Sequence, residues 1–165
     1  PGEEVELFVN GVSQGKKAAG KNAGFRTLFE VVYEPGTVEA VAYENGQEIG
    51  RMELQSAESE VHLELEIEEG RAKELSYIHV WLKDSQGRVM TDCDKKLTAE
   101  VTGDIDLAGF GSGDPKPKYN YNEGITETFH GHALLILRKP KENGTCHVKI
   151  EAEDGMFAEE EISFL

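Results

Sequence analysis

Three glycines in five positions, Gly109, Gly111 and Gly113, run into Asp114-Pro115 within the segment LAGFGSGDPKPKYNYN at 107–122. Closely spaced glycines are what a phosphate-cradling loop uses, because bare backbone N–H groups at a helix N-terminus hold the anion. Here the spacing is G-x-G-x-G, position 114 is an acid, and alternating Pro115, Lys116, Pro117 and Lys118 do not open a helix. The segment is therefore expected to be a turn, with no nucleotide site.

Other chemistry-bearing residues are thinly spread. Gly111-Ser112-Gly113 is a fragment of a nucleophile elbow, and no G-x-S-x-G occurs. Cys146 is followed by His147, but neighbours on a strand point to opposite faces, which disfavours a thiol–imidazole pair. His130 and His132 flank Gly131 and could share a face at the start of a strand; two ligands are too few for a metal. Cys93 and Cys146 could pair in an oxidising compartment, the alternative being two buried thiols, and no disulfide framework is present. Glycoside chemistry needs two carboxylates facing across a cleft. Glu64, Glu66 and Glu151 instead alternate with apolar residues, the mark of a solvated sheet face. Tyr119 and Tyr121 frame Asn120 in a polar loop and are the candidate carbohydrate-binding pair, since a sugar ring can stack on such a platform. No catalytic residue, metal ligand or cofactor is assigned.

The elements that must position these residues read as strands. VHLELEI (61–67) sets Val61, Leu63, Leu65 and Ile67 against His62, Glu64 and Glu66. TCHVKIEA (145–152) sets Cys146, Val148, Ile150 and Ala152 inward and His147, Lys149 and Glu151 outward. Similar runs occupy 5–9, 25–33, 37–43, 76–83, 97–101 and 132–138. Trp81 alternates with Tyr77 and His79, opposite Ile78, Val80 and Leu82, and is expected to serve packing. Asn10-Gly11, Asn45-Gly46 and Asn143-Gly144 suit tight hairpin turns, and Pro35-Gly36 suits a type II turn. No stretch keeps a clean helical period; 56–60 could hold one helical turn at most.

At 165 residues the chain fits one ordinary domain or two small ones. QSAESE, at 55–60, interrupts the strand pattern and sets an expected boundary between 1–57 and 58–165. A first part this small buries only about 60% of its unfolded surface and should lean on a neighbour. The net charge of −15 argues against nucleic acid and anionic membranes as partners, and no apolar run is long enough to span a bilayer. The chain starts at Pro1 without Met or a signal peptide, as an excised piece or processed product does. The compartment is not readable; a periplasmic or extracellular place follows if the parent carries a signal peptide.

VELFVNGVSQGKK (5–17) and FEVVYEPGTVEAVAYENG (29–46) resemble the small β-sandwich module that follows the catalytic barrel in bacterial family 2 glycoside hydrolases, β-galactosidases above all. Phe29 and Val38 stand where that family usually has Trp and Leu. LSYIHVWLKDSQG (75–87), LAGFGSGDP (107–115) and FHGHALLILR (129–138) resemble the C-terminal module of the same enzymes. The resemblance implies an all-β chain of two immunoglobulin-like antiparallel β-sandwich domains in tandem. It makes Gly113-Asp114-Pro115 a structural corner and the upstream catalytic barrel of the same chain the main partner. The catalytic glutamates of such enzymes lie on that barrel, so none is carried over, and the implied role is non-catalytic and mechanical. A carbohydrate-binding module and a cell-surface adhesion module are the alternatives.

Overall fold

The computed structural model describes residues 2–58, 60–68, 74–138 and 144–164. Among the described residues the regular structure is antiparallel sheet, apart from one short 3-10 turn at Lys21–Ala23. The chain divides into two compact units, Pro1–Ala57 and Glu58–Leu165.

The first unit contains one four-stranded sheet of β1 (Glu4–Val9), β2 (Val12–Ala18), β3 (Thr37–Glu44) and β4 (Gln47–Gln55), in the order β2-β1-β3-β4. Asn10-Gly11 and Asn45-Gly46 close its two hairpins with positive φ at all four residues, the backbone that a tight turn of matching twist requires. Asn10 also donates from Nδ2 to the Pro35 carbonyl and accepts from the Thr37 N–H, fastening the Pro35-Gly36 corner. The register sorts the side chains into two faces. One carries Glu6, Glu39, Tyr43 and Arg51, knit by hydrogen bonds and by the Arg51–Glu39 contact at 2.7 Å. The other carries Val5, Leu7, Val9, Val12, Val38, Ala40, Met52 and Leu54.

Residues 25–33, expected as a strand, form none. The sheet's members are complete without this run, and it lies against the apolar face instead of at an edge. Lys17 donates from Nζ to the Leu28 carbonyl, and Val31, Val32 and Glu34 line one hollow with Val9, Val12 and Gln14. An alternating pattern becomes a strand only where a ladder partner exists. The result is a loosely covered layer: Val32 is 82% exposed, and Phe25, Leu28, Tyr33, Met52 and Leu54 are exposed too.

The second unit is a two-layer sandwich. One sheet orders β5 (Val61–Glu68), β6 (Leu75–Asp84), β10 (His132–Arg138) and β8 (Asp106–Gly111) as β5-β6-β10-β8. The other orders β7 (Lys96–Gly103), β9 (Ile125–Glu127), β11 (Gly144–Ala152) and β12 (Phe157–Phe164) as β12-β11-β7-β9. Between them lie Leu63, Ile78, Val80, Leu82, Leu97, Phe110, Ala133, Leu135, Leu137, Cys146, Val148 and Ile150, all buried. The inward set of β11 is the one its alternation predicts, and on β6 the inside is Ile78, Val80 and Leu82. Of the stretch 56–60, which could hold one helical turn at most, residues 56–58 and 60 form no helix and residue 59 lies outside the described residues, as does the Asn143 half of the Asn143-Gly144 turn.

Asp84, at the end of β6, is fully buried. Its carboxylate accepts from the N–H groups of Glu58, Gln86 and Arg88 and from Arg88 Nε at 2.7 Å. Burial alone would raise its pKa; the backbone donors of Glu58 and Arg88 and the Arg88 guanidinium outweigh it and hold the carboxyl far below the usual range. Because the folded value is depressed, the contribution is complete above the ordinary value of 3.8 and is lost as pH falls below it. Asp84→Asn is expected to lower the guanidinium midpoint at pH 7 and to flatten the fall in stability below about pH 4, read by denaturation across pH. Leu135→Ala, which opens a hole between the sheets, should cost about 2–5 kcal/mol in the same assay.

Candidate functional site

The glycine-rich segment is only partly a turn. Gly109 and Gly111 belong to strand β8, and neither has positive φ; the corner proper starts at Ser112, where Asp114 accepts from the Lys116 N–H at 2.8 Å. The reason for glycine lies beside the strand. The Tyr121 carbonyl accepts from the Phe110 N–H at 2.7 Å, which draws Tyr121 alongside β8, and its ring fills the space a Cβ on Gly111 would need. A glycine inside a strand here marks a close approach. A Cβ on Gly109 would instead point into open space, its nearest neighbour the Tyr121 carbonyl oxygen at 4.0 Å.

That space is a groove of about 510 Å3 on the outer face of the β5-β6-β10-β8 sheet. Gly109, Gly111, Ser112, Tyr121, His132, Leu134 and Ile136 line it. The structure separates the two tyrosines singled out from sequence: Tyr121 forms the groove wall, whereas Tyr119 does not line it and turns its half-buried ring toward Lys96 Nζ, 5.6 Å away.

The histidines also part company. His130 and Gly131 both have positive φ and make the turn between Phe129 and His132, so His130 points away and its Nδ1 lies 3.1 Å from the Thr91 carbonyl. A Cβ on Gly131 would collide with the Met90 carbonyl, which keeps this position glycine. His132 opens β10 directly opposite Trp81, and their rings stack with centroids 4.0 Å apart. His132 Nε2 lies 2.9 Å from His79 Nδ1, and His79 Nε2 lies 3.4 Å from Glu68 Oε2. Trp81 Nε1 donates to Glu66 at 3.1 Å. Sequence alternation places Trp81 and His79 on one face, but the β10 residue that meets them depends on register across a distant pairing, so His79 with His132 was not legible.

Desolvation, then the nearby His79, pulls the pKa of His132 below its ordinary value, with Glu66 opposing. Among the described residues no group of three or more His, Cys, Asp or Glu could hold a metal ion. Cys146 is buried on β11 and its thiol pKa is pushed up by that burial, while Cys93 is exposed, so the two are free thiols in different settings and not two buried ones. His147 and Cys146 point to opposite faces of β11. Glu64 is held ionised by the Lys83 ammonium at 2.7 Å.

A histidine whose folded pKa is depressed favours the neutral form, so its contribution is present above the ordinary value of 6.5 and lost as pH falls through it. Thermal stability is therefore expected to fall between about pH 7 and pH 5, and His132→Gln should shrink that fall; differential scanning calorimetry across the interval reads it.

Residues 62–160 match the profile of glycoside hydrolase family 2 C-terminal domain 5, and residues 1–50 match a domain of unknown function, DUF4982. The chain is 28% identical over 155 residues to the beta-galactosidase BoGH2A of Bacteroides ovatus, covering 92% of this chain and 18% of that protein. It is 27% identical over 164 residues to a Formosa agariphila protein provisionally named a beta-glucuronidase, covering 94% of this chain and 16% of that protein. A solved family 2 glycosyl hydrolase from Bacteroides cellulosilyticus superposes with a TM-score of 0.84 at 29% identity, over 97% of this chain and 23% of that one. The chain thus spans about a fifth of the length of such relatives. With the profile match running through more than half of its residues and both sheets of the sandwich, this chain belongs to the C-terminal domains of glycoside hydrolase family 2.

Proposed function

We propose that the chain is the non-catalytic C-terminal region of a β-galactosidase, with residues 1–57 as the module next to the catalytic barrel and 58–165 as the terminal sandwich. The observation that carries this is the family match over 62–160, joined by similarity to a beta-galactosidase along 92% of the chain. The chemistry agrees. A glycosidase needs one carboxyl kept protonated near neutral pH and a second facing it. Among the described residues, each carboxyl with a displaced pKa, Glu48, Glu64, Asp84 and Asp154, is displaced downward by a cationic or N–H partner. These groups serve as ion-pair and turn acceptors.

The mechanical role rests on the first unit. Its apolar face and the segment at 25–33 leave Phe25, Leu28, Val32, Met52 and Leu54 in solvent, a patch of the kind that marks a contact surface. The barrel of the parent is the partner proposed for it, and covering that surface would orient the accessory region against the catalytic domain.

The test uses the full gene product beside the 165-residue chain. The full product should hydrolyse p-nitrophenyl β-galactoside with a kcat/KM at least about tenfold above that for the β-glucuronide. The isolated chain should cleave neither. Preference for the glucuronide would overturn the galactosidase assignment, and turnover by the purified chain would overturn the non-catalytic one.

A further inference from the structure

The geometry points to a binding site for a neutral oligosaccharide on the outer face of the β5-β6-β10-β8 sheet, built on His132 and Tyr121 and floored by Gly109 and Gly111, with Trp81 stacked behind His132. It is separate from the parent's catalytic specificity and stands or falls without it.

The argument begins with what each strand contributes to that face. Reading across the sheet, β5 presents Glu64 and Glu66, β6 presents His79, Trp81 and Lys83 (the last paired with Glu64), β10 presents His132, Leu134 and Ile136, and β8 presents Gly109 and Gly111. Neighbouring strands lie about 4.8 Å apart, so the four span roughly 14 Å, room for two or three pyranose rings side by side. The face thus grades from acceptors, through aromatic rings, to an apolar and then bare backbone floor. Tyr121 stands at the far side as a wall.

Ligand chemistry follows from that gradient. A sugar presents apolar C–H faces that stack on aromatic rings and hydroxyls that donate to carboxylates and ring nitrogens, and useful small-molecule sites are mostly apolar with a few placed polar groups. Trp81 is held in place from two sides, by stacking on His132 and by its Nε1 donation to Glu66. Little rotamer freedom is left to lose on binding, which favours affinity. An anionic sugar meets Glu66 and a chain of net charge −15, while Lys83 on the same face is already paired with Glu64 at 2.7 Å, so the occupant is uncharged. Glycine at 109 matters because any larger residue would fill the floor: the Cβ direction there is open.

Trp81 is the single tryptophan of the chain, so its fluorescence reports on the face directly. Titration of the 165-residue chain with β-1,4-galactotriose or cellotriose should shift that emission with a Kd below about 10 mM. A glucuronic-acid-containing trisaccharide should bind at least about tenfold more weakly. Tyr121→Ala and Gly109→Val should each weaken binding about tenfold or more, the second filling the floor at a strand position that tolerates a β-branched residue. Tyr119→Ala should stay within about twofold of the parent chain. Emission unchanged up to about 10 mM of both neutral sugars would overturn the site. So would equal binding by Gly109→Val with its fold intact by circular dichroism, or loss through Tyr119→Ala.

Discussion

Everything in the second unit depends on apolar side chains meeting between two pleated layers. A strand has only two faces, so committing Ile78, Val80 and Leu82 to the interior sends His79 and Trp81 outward without any further instruction. The same step on β10 buries Ala133, Leu135 and Leu137 and exposes His132, Leu134 and Ile136 to the groove. Cohesion and surface chemistry are therefore written in one register. A slip by one residue would exchange the two sets and cost the core and the groove together.

Two features tie that register at its ends. Asp84 gathers the donors of the tight turn after β6 and the N–H of Glu58, so the unit's first residue is fastened to the strand that carries Trp81. At the other side Tyr121 pairs its carbonyl with β8 and lays its ring where Gly111 lacks a side chain. A buried carboxylate with several backbone donors is costly to desolvate and unforgiving of substitution. A glycine under an aromatic ring is likewise fixed by what covers it. Both positions lie inside stretches similar to family 2 modules, and the structure gives each a physical reason.

Much of the fold was legible because period-two alternation is a local property: β6, β10 and β11 follow their patterns, β5 does so only until Ile67, which is exposed near its end, and the Asn-Gly turns at 10–11 and 45–46 adopt the backbone those residues favour. The failures share a cause. The run at 25–33 has strand composition but no ladder partner, and composition does not report partners. Gly109 and Gly111 read as turn residues because glycine is shared by turns and by strands crowded from the side; only the position of Tyr121 separates the cases. His130 and His132 share spacing but not a face, since positive φ at His130 and Gly131 breaks the extended geometry that spacing assumes.

Charge acts on partners more than on stability. Pairs such as Lys83–Glu64 and Lys149–Glu151 sit on outer sheet faces and Lys95–Asp154 joins two connections, places where surface ion pairs contribute about 0–1 kcal/mol each. What the excess of acid does is repel anions, a discrimination that leaves uncharged or cationic ligands and apolar surfaces as the available partners. The two units then differ in kind. The first offers uncovered Val32, Met52 and Leu54 with few polar groups among them, suited to a cover that stays in place. The second offers a groove lined by Tyr121, His132, Leu134 and Ile136 and backed by the Trp81 ring stacked on His132, above a core that these four residues do not enter.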